Sequence, residues 1–320
     1  VRRLVAALAL VAGLGNALAQ PAFPDRPIRI VVHVTAGSGS DAATRFVGER
    51  LSRVLGQSVI VENRPGAGGV VAVNALRAAP ADGHTMLMTS ISTLSVNPVV
   101  VKDLPYDPVR DLRPISGLIR TTSAIVVGAD STHRSFRDLV AAGRAQGGAG
   151  LQFAHYAPGY RLAVEWLADL TGMRVVEVPY KGPSAMLPDV IEGRVDFAII
   201  DLGGVDALVK SGRLRVLAVS SERRQPLYPE VPTVAELGYR DWVNHPWTAL
   251  HVRADTPDEV AATLSNAMRK VLAMPEVQDY ARRTAGTDLL PLSPAEIARF
   301  NVEEIQRFRR IADKVGIRPE

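Results

Sequence analysis

Residues 28–55 read IRIVVHVTAGSGSDAATRFVGERLSRVL, and this stretch decides the reading of the 320-residue chain. Residues 28–34 are β-branched and apolar except at Arg29 and His33, over the length of a strand. Thr35-Ala36-Gly37-Ser38-Gly39-Ser40-Asp41 follows as a turn of glycines and hydroxyls. From Asp41 onward Ala43, Phe46, Val47, Leu51, Val54 and Leu55 share one helical face, and Gly56 supplies a stop. A strand that enters a glycine turn and leaves as a helix aims backbone N–H groups and the positive helix end at one small volume. Such a turn seats an anion.

The same alternation continues outward. Candidate strands are residues 58–62, 85–89, 124–127, 151–154, 174–178, 195–200, 214–220 and 248–252. Runs such as Phe197-Ala198-Ile199-Ile200 are apolar throughout, as in strands buried on both faces, and predict parallel sheets covered by helices. Ala163, Trp166, Leu167 and Leu170 form a helical stripe before Gly172. Thr256-Pro257-Asp258-Glu259 and Ser293-Pro294-Ala295-Glu296 read as capping boxes with proline at the first helical position. They open two late helices, the last reaching about Val315. A chain this long exceeds one ordinary core and predicts two domains.

Arg2 and Arg3, the apolar residues 4–14 and Ala17-Leu18-Ala19 have the layout of a secretory signal peptide, residues 1–19, cleaved after Ala19. That places the mature chain in the periplasm. The absence of cysteine excludes a disulfide framework and thiolate chemistry. The formal charge is 37 − 33 = +4 and shows no basic block interleaved with aromatics, so no nucleic-acid partner is expected.

Two enzymatic motifs match the first turn in part. Gly37, Gly39 and Ala42, with Glu62 twenty residues on, match a dinucleotide fingerprint. Asp41, however, would repel a pyrophosphate. Ser38 resembles a nucleophile elbow, but the flanking glycines that the elbow needs are Ala36 and Ser40 here. The six histidines are scattered and form neither a triad nor a metal site, so no metal and no cofactor are expected. Residues 153–161 repeat the architecture of strand, small-residue turn and helix. Two such units, one per domain, would face each other across a cleft.

Val61-Glu62-Asn63-Arg64-Pro65-Gly66-Ala67-Gly68-Gly69 resembles the V-E-N-R-P-G-A-G-G signature of the tripartite tricarboxylate transporter substrate-binding proteins, the Bug family. Leu104-Pro105-Tyr106-Asp107-Pro108, Val178-Pro179-Tyr180-Lys181-Gly182, Gly212-Arg213-Leu214-Arg215 and Val231-Pro232-Thr233-Val234-Ala235-Glu236 agree in order. The resemblance implies an α/β periplasmic binding protein, or Venus flytrap, with two doubly wound α/β domains and a central cleft. It implies domain 1 at residues 20–121 plus 244–320 and an inserted domain 2 at residues 122–243. It also implies a binding protein, not an enzyme.

Carried across, the ligand contacts would be Gly37, Ser38, Gly39, Ser40, Asp41, Ser90, Ser92, His155, Tyr156, Ala157, Pro158, Gly159, Tyr180 and Asp201. The two loops depart from the family's spelling. Ser38 and Ser40 add hydroxyls, and Tyr156, Pro158, Tyr160 and Arg161 make the second loop bulkier and more basic. The expected activity is capture of a small carboxylate by domain closure, hinged near residues 119–122 and 239–245, with Arg161 holding a second acidic group. The expected partners are membrane components of a tripartite tricarboxylate transporter or a sensor kinase, with the chain itself a monomer. A periplasmic hydrolase or isomerase using Asp41, Asp201 or His155 is the rival from another class.

Overall fold

The computed structural model describes residues 23–145 and 149–319; the signal-peptide reading of residues 1–19 lies outside the described residues. In chain order the elements begin β1 (Ile28–Val32), α1 (Gly39–Leu55), β2 (Val59–Asn63), α2 (Val70–Arg77) and β3 (Thr85–Ser90). A π turn, Ser92–Val96, then runs into α3 (Asn97–Val100), and β4 (Leu112–Thr121) leads to β5 (Ser123–Gly128). The second half opens with α4 (Phe136–Arg144), β6 (Leu151–His155), α5 (Pro158–Thr171), β7 (Val175–Pro179) and α6 (Pro183–Ile191). It continues through β8 (Phe197–Asp201), α7 (Leu202–Lys210), β9 (Leu214–Val219) and β10 (Trp247–Arg253). The chain closes with α8 (Asp258–Leu272), α9 (Pro275–Arg283), β11 (Thr287–Leu289) and α10 (Pro294–Val315).

Two sheets result, ordered β11-β4-β10-β3-β1-β2 and β7-β6-β8-β5-β9. The α/β fold agrees with the sequence reading, but the sheets are mixed where parallel ones were expected. The β2-β1-β3 and β7-β6-β8 blocks are parallel. β10 lies antiparallel to β3 and β4, and β5 antiparallel to β8 and β9. The cause is the exchange between sheets. The chain leaves the first sheet at the end of β4, crosses at Thr122, and returns between β9 and β10, so the strands beside each crossing reverse direction.

Helices cover both faces. On one side of the first sheet Ile28, Ile30 and Val32 pack with Val47 and Leu51 of α1 and Leu264 and Met268 of α8. On the other, Val31 and Leu87 meet Val73 and Leu76 of α2. That second cluster continues through Trp242 and Trp247 into α5 and Phe153 of the second sheet. The C-terminal helix spans this seam. Arg307 donates to the Val243 carbonyl and lies over the Trp166 ring, and Lys314 pairs with Asp169 of α5 at 3.4 Å.

Local signals were realised unevenly. Ser293 forms its capping box with Glu296, and Gly56 and Gly172 end α1 and α5 with φ of 68° each. The Thr256 box does not form. Pro257 caps α8, and the Thr256 hydroxyl is buried without a partner. Arg113 donates to the Thr256 carbonyl at 2.8 Å.

Candidate functional site

Between the sheets lies a small inner chamber of about 40 Å³. A larger outer chamber of about 570 Å³ shares His33, Val34, Ser92, Tyr156 and Ala157 with it. Ser38, Ser40, Ser90, Thr121, Tyr156 and Tyr160 line the inner chamber, so hydroxyls dominate its polar surface. The cleft therefore presents neutral donors, as a desolvated anion requires.

The first turn is built from its own side chains. Ser38 caps α1 by accepting from the Asp41 N–H at 3.2 Å. Asp41 accepts from the Gly37 N–H at 3.0 Å and from Asn63 Nδ2 at 2.8 Å, and Arg45 lies 3.1 Å away. Burial works against ionisation of Asp41, but these donors outweigh it and hold the carboxyl below its ordinary range. Asp41 thus pins the loop and does not line either chamber. Gly37, at φ +83°, provides the turn that lets its N–H reach Asp41. Of the first helical amides, those of Gly39 and Ser40 have no acceptor within the helix.

The second turn differs. α5 begins with Pro158, which has no N–H, and the Gly159 N–H donates to Ser92 Oγ of the first sheet's wall at 3.1 Å. The Tyr160 and Arg161 amides bond to the Ala157 carbonyl. The α5 start is therefore matched from within the protein.

Other sequence-selected residues divide between lining and support. Tyr156, Ala157, Gly159, Ser90, Ser92 and Asp201 line the inner chamber, and Tyr180 the outer one. Pro158 packs at the mouth against Gly68, where a Cβ would stand 3.0 Å from the proline ring. Gly39 faces Asp201 and Gly204 from the far side. His155 is buried outside both linings, with Nε2 3.1 Å from Glu177 Oε1. Burial lowers its pKa and the glutamate opposes that. Arg161 pairs with the same glutamate at 2.7 Å. The Tyr180 hydroxyl donates to Asp189 at 2.6 Å. Of Asp41, Asp201 and His155, the alternatives named for a rival enzyme, Asp201 lines the inner chamber while Asp41 and His155 line neither chamber.

Asp201 ends β8 and begins α7. Its carboxylate accepts from Thr121 Oγ1 at 2.8 Å and from the Tyr160 hydroxyl, to which Tyr156 donates at 3.3 Å. Burial raises its pKa against those two donors. Burial likewise raises the pKa of both tyrosines, which stay protonated donors.

Several lining residues escaped the sequence reading. His33, one residue past β1, lines both chambers, and burial lowers its pKa to about 4. Asn244, Pro246, Trp247 and Thr248 reach the inner chamber from the returning crossover. The segment Pro65-Gly66-Ala67-Gly68-Gly69 lines the outer one. Its residues 66–69 all have positive φ, and a Cβ on Gly69 would stand 2.3 Å from Thr93. The glycine signature thus has a packing reason. Among the described residues no acidic, histidine or cysteine group could hold a metal, and no helix is long and apolar enough to cross a membrane.

Comparison with known proteins agrees over nearly the full chain. Residues 43–317 match the family described as the tripartite tricarboxylate transporter family receptor. A UPF0065 protein of Bordetella bronchiseptica is 34% identical over 99% of this chain and 93% of its own length. Protein BugT of Bordetella pertussis is 31% identical over 98% of each chain. The structure of R. palustris Rpa4515 with adipate superposes with a TM-score of 0.89 at 30% identity, covering 93% of this chain and all of that one.

Proposed function

The chain belongs to the tripartite tricarboxylate transporter receptor family, a family of binding proteins and not of enzymes, and from that premise we propose that it captures a small organic acid by domain closure in the periplasm. The observation that carries the reading is the inner chamber. It lies between two α/β walls, is lined by hydroxyls, and is flanked by the unmatched amide end of α1. The Gly39 and Ser40 amides and the Ser38, Ser40 and Ser90 hydroxyls receive the carboxylate. The adipate solved with the R. palustris relative sets a size class for such a ligand.

In this proposal residues 20–121 with 244–320 form one domain and residues 122–243 the other, after cleavage at Ala19. The walls already touch where closure would bring them. Gly159 bonds Ser92, Gly68 meets Pro158, and a Cβ on Gly182 would stand 2.3 Å from Thr35 Oγ1. The acid enters through the outer chamber when these contacts part. The closed receptor then presents the acid to the membrane components of its transporter.

A thermal-shift panel of mono-, di- and tricarboxylates tests the reading, because a ligand bound only by the folded state raises the melting midpoint. At least one acid stabilises the protein and is recovered from it by native mass spectrometry. A shift with nucleotides and none with any acid overturns the proposal.

A further inference from the structure

Asp201 is the single acid among the residues lining the inner chamber, and it is 6% exposed. The chamber holds about 40 Å³, so a carboxylate seated on the α1 start has Asp201 as a close neighbour. Asp201 Oδ2 lies 4.0 Å from the position of a Cβ on Gly39, whose amide belongs to the proposed seat. Two carboxyls crowded into one small buried site resist ionising together, and such a pair retains a proton.

A cation between the two would lift that constraint, and the surroundings supply none. The titratable groups facing the chamber besides Asp201 are His33 from the end of β1 and Tyr156 and Tyr160 from α5. A pocket of about 160 Å³ on the other side of Asp201 adds Tyr280 of α9. Thr121 of β4, Ser123 of β5 and Trp247 and Thr248 of β10 bring no charge. Neither lining contains Lys or Arg. Arg45 is engaged by Asp41, Arg120 by Asp288 at 3.8 Å, and Arg161 by Glu177. Burial keeps the three tyrosines protonated and His33 neutral, the latter with its pKa lowered to about 4.

Asp201 is placed to take the proton. It accepts from Thr121 Oγ1 at 2.8 Å and from the Tyr160 hydroxyl, both neutral donors, and burial already raises its pKa against them. In the ligand-free protein those donors support the ionised form. A protonated carboxyl keeps acceptor capacity, so both bonds survive while the new O–H donates to the ligand carboxylate. That bond, a hydroxyl to a carboxylate, belongs to the strong charge-assisted class. One negative charge then remains in the chamber instead of two.

We propose that each acid is bound together with one proton from solvent, held between Asp201 and the ligand carboxylate. This rests on the acid-receptor reading above and adds the proton as a second ligand of that site. The complex holds one proton more than the free protein, so affinity falls as pH rises. The test is calorimetric titration of the mature chain with adipate, and with each acid of the panel that raises the melting midpoint, in two buffers of different ionisation enthalpy. Between about pH 6.5 and 8.5 acids with ordinary carboxyl pKa values near 4 are ionised, so the free acid supplies no proton. Uptake approaches one proton per acid, and affinity falls by up to about tenfold per pH unit. Asp201→Asn replaces the carboxylate with a neutral group of the same shape that can donate. This variant takes up no proton, its affinity moves by less than about twofold across the range, and at the highest pH it binds at least as tightly as the wild type. His33→Asn keeps the uptake. Thermal melts check that both variants fold, and if Asp201→Asn does not, the uptake of the wild type and of His33→Asn decides. No uptake by the wild type, uptake retained in Asp201→Asn, or uptake lost in His33→Asn overturns the proposal and leaves the acid-receptor reading standing. If no acid of the panel binds, that reading has itself failed and this inference falls with it.

Discussion

Gly159→Ala separates closure from folding, because the added methyl acts on the two with opposite sign. A Cβ there would stand 2.9 Å from Ser92 Oγ and 3.3 Å from Ile91 Cγ2, the former 0.5 Å inside the 3.4 Å at which ordinary contact begins. Both neighbours belong to the opposite wall. Either Ser92 rotates and gives up its bond from the Gly159 N–H, at about 1 kcal/mol, or the walls separate at an overpacking cost of about 1–3 kcal/mol. Either penalty falls on the closed arrangement alone. About 1.4 kcal/mol against closure weakens binding about tenfold. Within α5 the same change favours the helix by up to about 1 kcal/mol. Titration with the tightest acid of the panel should therefore show a loss of at least about fivefold. The ligand-free melting midpoint should hold or rise, and Ser92→Ala in the same chain should restore part of the affinity. Unchanged affinity in Gly159→Ala, or a ligand-free midpoint several degrees lower, would refute the reasoning.

The remaining predictions concern charge and the α1 start. His33 and His251 are buried, with pKa values lowered from 6.5 to about 4 and about 3. Because the unfolded chain takes up the protons first, their contribution to stability is present above pH 6.5 and is lost as pH falls toward those folded values. The loss approaches about 2.7 kcal/mol per pH unit from the pair below about pH 6. Urea unfolding at pH 7.5, 6 and 5 reads this slope, and a flat profile contradicts it. Arg161→Ala should leave affinity within about twofold, since the guanidinium is spent on Glu177 outside the chambers. A large loss in titration would return Arg161 to the ligand. Gly39→Val should abolish binding with the melting midpoint nearly kept, because Cβ itself meets nothing nearer than 3.9 Å while the branches point toward Gly204 and Asp201. Retained affinity would remove that turn from the site.

The fold was legible wherever local pattern and tertiary environment agreed. Ile28–Val32 and Phe197–Asp201 are buried strands and look like them. Leu112–Thr121 was missed because Pro114 and Gly117 break its pattern. The structure tolerates both by register shifts between β10 and β4, and Gly117 admits the Leu290 carbonyl where a Cβ would stand 2.0 Å away. Mixed strand direction was hidden for a different reason, since the crossings between sheets carry no periodicity. In the site, sequence identified which turns reach the cleft but not which side chains face it. His155 and Tyr180 sit in such segments and spend their polar atoms on Glu177 and Asp189. Trp247 and Thr248 come from a strand more than two hundred residues downstream of the first turn, where nothing local marks them as lining. His33 lay in the stretch that decided the fold, but a residue at a strand end reads as packing until its unmatched Nε2 is seen.

The cradle that two helix starts were expected to form is unequal, and the inequality assigns Asp201 its part. α5 offers no free amide, whereas α1 offers Gly39 and Ser40, and the start of α7 faces α1 across the same gap, with Gly204 N 3.9 Å from a Cβ on Gly39. Two positive helix ends pointed at each other repel unless negative charge lies between them. Asp201 lies there, with Thr121 of the first wall and Tyr160 of the second both bonded to it. Beside it Thr122 donates its N–H to the Gly286 carbonyl of one wall and accepts from the Leu202 N–H of the other. In the closure proposed above, rotation about this residue preserves both bonds while Gly159, Gly68 and Gly182 separate at the mouth. Asp201 then serves as a countercharge at the pivot, where its bonds survive opening. A ligand carboxylate placed on the Ser38, Ser40 and Ser90 side of α1, as proposed, shares the inner chamber with Asp201, whose oxygens are already engaged by Thr121 and Tyr160.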